Sequence, residues 1–97
     1  TRVSIDVSFI SLRHIFPVLP ALIGRPAEIV ALVKPQFEAG RKDVGKGGLV
    51  TDPVVHARVI AAVTAAAAEV GLERLGLIES PITGAHGNTE FLMHLRI

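Results

Sequence analysis

Apolar and polar residues follow strand-like patterns in four short segments of this 97-residue chain. Residues 2–9 combine β-branched side chains with alternation, and residues 27–33 form a nearly continuous apolar run between two prolines. The first pattern predicts a strand, and the second predicts a strand buried on both faces of a parallel sheet. Residues 73–79 and 89–97 have the composition of two further strands.

Helical spacing of apolar residues predicts two helices between these strands. The first should cover residues 11–23, although Pro17 and Pro20 should kink it or split it. The second should begin after the N-cap Asp52, because Pro53 suits the first helical position, and should stop at Gly71. Its predicted apolar stripe consists of Val55, Val59, Ala62, Val63, Ala66 and Val70. The residues 35–50 are predicted to form a long, charged, glycine-rich loop.

This order of elements predicts a mixed α/β sheet. Right-handed crossovers make the first three strands parallel, and the short connection 80–88 makes the last strand antiparallel to the third. The carboxyl ends of the first two strands then share one edge with the amino end of the fourth. Asp6, Lys34 and Glu90 should therefore meet at that edge, where ligands of open α/β sheets bind. The alternative is that Lys34 pairs with Glu38, while the other two carboxylates only cap strand ends.

Composition narrows the class of protein without naming its function. The length fits one domain, and the net charge of +1 gives no global field for binding nucleic acid. The chain has no cysteine, which fits a cytoplasmic location, and its four histidines lack the spacing of a helical metal site. No apolar run reaches the roughly 18 residues that a membrane span requires. Because the chain does not begin with methionine, we expect a fragment of a longer protein.

The predicted loop carries a second candidate site. Residues 40–46 match the G-x-x-x-x-G-K part of a phosphate-binding loop, but Gly47 replaces the hydroxyl residue that binds magnesium, so a nucleotide site is not expected. Arg41, Lys42 and Lys46 are candidates for contact with RNA phosphates, and a solvated charged loop is the alternative. The turn 84–88 offers backbone N–H groups to a ligand or is an ordinary turn.

Four ordered motifs carry a family resemblance that covers almost the whole chain. They are residues 5–12 (IDVSFISL), 33–40 (VKPQFEAG), 80–84 (SPITG) and 87–91 (GNTEF). Together they resemble the TlyA family, haemolysin-labelled bacterial proteins with an FtsJ-type ribosomal RNA 2′-O-methyltransferase domain. The resemblance implies a Rossmann-like, S-adenosylmethionine-dependent sheet whose last strand inserts antiparallel beside the second strand seen here. In the Lys-Asp-Lys-Glu tetrad of FtsJ-type enzymes, the last three members correspond to Asp6, Lys34 and Glu90, and Asp6 also lies near the cofactor.

The same resemblance implies what the chain lacks. The first tetrad lysine, the glycine-rich S-adenosylmethionine loop and an S4-type RNA-binding domain would all precede Thr1, so residues 1–97 would be the C-terminal part of the catalytic domain. We therefore expect the full-length protein to methylate ribosomal RNA and these residues alone to be inactive. A non-catalytic RNA-binding module is the alternative, and a membrane-active haemolysin is a third reading without support in the composition. We also expect an exposed sheet edge at residues 2–9 to allow a homodimer.

Overall fold

Four strands form a single mixed sheet in the computed structural model, which describes residues 1–84 and 87–97. They are β1 (Arg2–Ile5), β2 (Glu28–Val33), β3 (Glu73–Glu79) and β4 (Phe91–Arg96), in the spatial order β1-β2-β4-β3. β1 and β2 are parallel, and β4 is antiparallel to both of its neighbours. The predicted mixed sheet is confirmed, including the insertion of the last strand beside the second.

Short helices and one long helix connect the strands: α1 (Leu12–Ile15), α2 (Leu19–Leu22), α3 (Pro35–Glu38) and α4 (Pro53–Glu69). The helix predicted over residues 11–23 is split as its prolines require. Pro17 lies in a 3₁₀ turn between α1 and α2, and Pro20 lies in the first turn of α2, where its missing N–H leaves no helical bond unmade. The predicted loop 35–50 is more ordered than expected, since it contains α3 and two further 3₁₀ turns.

Both ends of α4 follow the sequence signals. The Asp52 side chain accepts a hydrogen bond from the Val54 N–H at 2.9 Å. Gly71 adopts a left-handed φ of +85°, and the Leu72 N–H bonds to the Ala67 carbonyl at 2.9 Å, which is the Schellman ending that glycine favours. The carbonyls at the end of the helix are thereby satisfied.

The core lies on one face of the sheet, under α1 and α4. Its fully buried sheet residues are Ile29, Ala31, Val33, Met93 and Leu95. α4 contributes Val55, Val59, Val63 and Ala67, a strict i, i+4 series. The predicted stripe is therefore partly wrong: Ala62 is exposed, and Ala67 takes the buried position instead. The opposite face of the sheet keeps apolar residues such as Val30 and Ile78 exposed.

β1 ends earlier than the pattern of residues 2–9 predicts. Its last pair is Ile5 with Ala31, and residues 8–10 form a bend. Phe9 has a left-handed φ of +64°, which no strand residue adopts, so the chain must leave the sheet before it. β1 is an edge strand paired with β2, and dimerisation through it stays a prediction.

A turn after β3 and the absence of a membrane span were both predicted from the sequence. The turn predicted over 84–88 includes Ala85 and His86, which lie outside the described residues. Within the described part of the chain, no helix combines the length and the apolar character that crossing a membrane demands.

Candidate active site

The register of the sheet brings three strand ends to one edge. β1 and β2 are paired up to Ile5 with Ala31, and β2 and β4 are paired up to Val33 with Phe91. Asp6, Lys34 and Glu90 each lie one residue beyond these elements. The convergence predicted from chain direction is therefore confirmed, and we call this edge the rim.

Lys34 lies between β2 and α3 because a proline follows it. Pro35 disfavours helical backbone at the preceding residue, and Lys34 is accordingly extended (φ −112°, ψ 100°). Its Nζ lies 2.6 Å from Asp6 Oδ1 and donates to Ser8 Oγ at 3.1 Å. The Lys34 side chain is only 13% exposed, whereas that of Asp6 is 67% exposed. An ammonium is thus held in a fixed position at the rim by two residues of the β1 loop.

Pairing of Lys34 with Glu38 is wrong. The Glu38 carboxylate instead accepts hydrogen bonds from Ser11 Oγ at 2.5 Å and from the Leu12 N–H at 2.8 Å. It therefore satisfies the first turn of α1 from a distant part of the chain, in the manner of a helix cap. Its role is structural, and the proposed ion pair belongs to Asp6.

Glu90 is held apart from that ion pair. It is only 6% exposed, and its Oε2 accepts a hydrogen bond from Gln36 Nε2 at 2.8 Å. Among the described residues, no lysine, arginine or histidine nitrogen lies within 4.0 Å of the Glu90 carboxylate. The three predicted site residues thus form two groups on one edge, an ion pair and a separately held carboxylate.

Ser8, Phe9 and Gln36 complete the rim and were not singled out from the sequence. Ser8 shares the ammonium with Asp6, and Gln36 bonds to Glu90. The Phe9 ring is 90% exposed and lies 4.9 Å, between centroids, from the ring of Phe37. A strained backbone at an exposed aromatic residue is uncommon away from functional sites, and an exposed ring can stack on an unpaired base. The sequence offered one indication of these residues: Ser8 lies two residues after Asp6, and Gln36 lies two residues after Lys34, so each is close to a predicted site residue.

The basic loop, residues 40–47, continues from α3. Arg41, Lys42 and Lys46 are all exposed, and none has a carboxylate within 4.0 Å in the part of the chain that the structure describes. Asp43 of the same loop pairs with Arg58 on α4 at 2.5 Å. The loop is therefore tied to α4 through its acidic residue, which leaves its cations open to solvent.

A second set of polar contacts fastens the chain after the basic loop. Asn88 is 2% exposed, and its amide accepts from the Val50 N–H at 2.9 Å and donates to the Gly48 carbonyl at 2.8 Å. His56 Nε2 lies 2.7 Å from the Val50 carbonyl oxygen. These bonds satisfy backbone groups of a segment that has no strand partner.

Comparison with known protein families gives the rim a chemical context. The model of the FtsJ-like methyltransferases matches residues 2–97 of this chain. The chain belongs to the FtsJ-like methyltransferase family. The resemblance found in the four motifs is thereby confirmed.

Individual relatives agree with this assignment. The chain is 56% identical over 92 residues to YqxC of Bacillus subtilis, which is named as an rRNA methyltransferase, and the match covers 95% of this chain and 33% of that protein. It is 47% identical over 91 residues to TlyA of Mycobacterium tuberculosis, a 16S/23S rRNA (cytidine-2′-O)-methyltransferase, covering 94% of this chain and 34% of TlyA.

A solved structure has the same fold. The crystal structure of a protein from Lactococcus lactis that carries a hemolysin name superposes with a TM-score of 0.94 at 49% identity, covering 98% of this chain and 45% of that one. The chain spans about a third of the length of the curated relatives it matches.

The family implies S-adenosylmethionine as methyl donor, and Asp6 is the rim residue that the sequence resemblance linked to this donor. Asp6 is largely exposed and its carboxylate is bonded to Lys34. Three cavities formed by described residues are lined by other regions, and none includes Asp6, Lys34 or Glu90. The described residues also contain no cluster of three or more potential metal ligands.

Proposed function

We propose that the complete protein transfers a methyl group from S-adenosylmethionine to a ribose 2′-hydroxyl of ribosomal RNA, with Lys34 at the reacting oxygen. The observation that carries this proposal is the Lys34 side chain, which is 13% exposed and whose ammonium is fixed by Asp6 and Ser8 at the rim of an FtsJ-like sheet. The name of the relative TlyA, a cytidine-2′-O-methyltransferase, supports the choice of the ribose over the base.

The chemistry requires a hydroxyl to be oriented and to lose its proton. A lysine ammonium has three N–H donors, and Lys34 directs two of them to Asp6 and Ser8. The third would donate to the 2′-oxygen, which aims its lone pair at the methyl group. The hydroxyl proton would pass to water at the rim, and the fixed positive charge of Lys34 would stabilise the negative charge that develops on the oxygen without rearrangement.

The two carboxylates have different parts in this proposal. Asp6 keeps the lysine in place. Glu90, which Lys34 does not reach, supplies a separate acceptor for a substrate hydroxyl at the same rim. S-adenosylmethionine supplies the methyl group as a sulfonium. We expect the 97 residues alone to be inactive, because they span only about a third of the length of the curated relatives.

The basic loop supports an RNA substrate. Arg41, Lys42 and Lys46 present exposed positive charge next to the rim without carboxylate partners among the described residues. Contacts with phosphates fix the position of a nucleic acid but carry no sequence information. The loop would therefore hold the RNA backbone while the rim residues act on one ribose.

The test is methyl transfer by the complete protein. Ribosomal subunits are incubated with S-adenosylmethionine that carries a labelled methyl group, and the RNA is digested to nucleosides. We expect the label in a 2′-O-methylated nucleoside. Label on a base, or no label at all, would contradict the proposal.

The second candidate is a non-catalytic RNA-binding module, and the exposed cations of the basic loop favour it. This protein would bind ribosomal RNA with the same affinity whether or not Lys34 is present, and would never transfer label. Measuring affinity and transfer on the same preparations separates the two functions.

A further inference from the structure

Gln36 makes a contact that fold stability alone does not explain. It lies on α3, two residues after Lys34, and its Nε2 donates to Glu90 Oε2 at 2.8 Å. The orientation of this amide is fixed chemically, since only its nitrogen can donate to a carboxylate. Its Oε1 is buried and has no hydrogen-bond partner among the described residues.

An amide with one buried atom unpaired is a poor structural element, because the lone acceptor has lost its water without gaining a donor. Asn88 shows the structural alternative within the same molecule. Both of its amide atoms bond to backbone groups, at Val50 and Gly48. The Gln36 amide bonds to no backbone group that the structure describes. It donates instead to the Glu90 carboxylate.

The Glu90 carboxylate needs a hydrogen-bond donor to fix its position. No cation lies within 4.0 Å of its carboxylate in the described residues, although the side chain is nearly buried. The carboxylate also lies directly against Gly84, where a Cβ atom would overlap it. Gly84 thus leaves room for the carboxylate, and Gln36 supplies its hydrogen bond.

We propose that Gln36 is a positioning residue of the methyl-transfer site, acting through Glu90. The inference rests on the proposed function and adds a residue to it. The amide fixes the direction in which Glu90 presents its acceptor to the substrate hydroxyl, as Asp6 and Ser8 fix Lys34. The segment Lys34–Glu38 therefore contains two rim residues. Lys34 belongs to the ion pair with Asp6, and Gln36 bonds to Glu90.

The test uses two substitutions in the complete protein. Gln36→Met removes the amide at similar volume, and Gln36→Glu keeps its size and polarity but replaces the donor by an oxygen. Both should lower kcat at least about tenfold, the effect of losing a hydrogen bond to a charged group, and leave the KM for RNA unchanged. If one variant fails to fold, the other still decides the outcome.

A double-variant cycle shows whether Gln36 acts through Glu90. Adding Gln36→Met to Glu90→Gln should cause no further loss in single-turnover rate, because the carboxylate to be positioned is already gone. Glu38→Gln is the matched control from the same helix. It should lower the thermal midpoint, since Glu38 supports α1, and leave the kcat of the folded enzyme intact.

Wild-type kcat in both Gln36 variants would overturn the positioning role, and so would a full further loss in the Glu90→Gln background. If the wild-type enzyme transfers methyl groups and Lys34→Ala does not, these results leave the proposed function standing. Absence of transfer by the wild-type protein overturns the function and this inference together.

Discussion

Two polar networks lie close together in this chain and differ in what their side chains bond to. The rim network consists of Asp6, Ser8, Lys34, Gln36 and Glu90, and its recorded bonds join side chain to side chain. The anchor network consists of Ser11, Glu38, His56 and Asn88, and its members reach backbone groups at Leu12, Arg13, Gly48 and Val50. Side chains that satisfy backbone groups stabilise the fold. The rim side chains bond to no backbone group that the structure describes, so we infer that their contacts serve the site.

The segment 34–38 shows this division most clearly. Lys34 and Gln36 belong to the rim network, and Glu38 belongs to the anchor network. If the division is real, substitutions in the rim network should reduce activity at constant stability, and substitutions in the anchor network should do the reverse.

The largest expected effect is that of Lys34→Ala. Loss of the ammonium should lower methyl transfer by the complete protein by about 10² to 10³, the range for removing a donor that stabilises developing negative charge. The free energy of unfolding should change little, because the lysine bonds to no backbone group described here. Transfer is measured with labelled S-adenosylmethionine and stability by urea denaturation. Arg96→Ala, which removes an exposed cation at the opposite end of β4 that pairs with Glu73, is the control. Near-normal turnover of Lys34→Ala would contradict the assignment.

Asn88→Leu tests the anchor network and should have the next largest effect. It leaves the Val50 N–H and the Gly48 carbonyl without their partner in a buried place, so the free energy of unfolding should fall by about 2 kcal/mol or more. Urea denaturation of the complete protein measures this change. Asn88→Asp keeps the acceptor for Val50 but turns an oxygen toward the Gly48 carbonyl, so it should also be destabilising. A stability equal to that of the wild type would show that the loop after residue 47 is not fastened by this side chain.

Glu38→Gln should have a smaller effect on stability. The neutral amide keeps one acceptor oxygen but loses the charge next to the first turn of α1, which should lower the free energy of unfolding by about 1 kcal/mol. Thermal unfolding of the complete protein measures it, with transfer per folded molecule as the second readout. Loss of transfer without loss of stability would place Glu38 in the rim network and remove the proposed division.

The features of this molecule that depend on residue pattern and chain direction could be predicted from the sequence. The four strands, the caps of α4 and the convergence of Asp6, Lys34 and Glu90 all follow from periodicity, turn chemistry and crossover handedness. These rules act through the backbone, so one sequence is enough to apply them.

Side-chain partners were less predictable because they depend on long-range geometry. Gln36 and Glu90 are 54 residues apart, and Ser11 and Glu38 are 27 apart. The four-residue spacing of Lys34 and Glu38 favoured a local ion pair, but Pro35 keeps Lys34 extended and outside the helix, so that the two side chains do not share a helical face. No sequence pattern indicated the left-handed φ of Phe9, because an aromatic residue rarely adopts this conformation.

The smallest expected effect concerns the basic loop, which belongs to neither network. Lys42→Ala removes one exposed charge that has no carboxylate partner among the described residues, so stability and kcat should stay unchanged. If Lys42 contacts a phosphate, RNA affinity should fall modestly, and the slope of log affinity against log salt should decrease by roughly one unit. Titrations of ribosomal RNA at several salt concentrations measure both. Arg58→Ala is the control, because Arg58 already pairs with Asp43 and its loss should change the salt slope less. An unchanged slope for Lys42→Ala would assign this lysine to solvent.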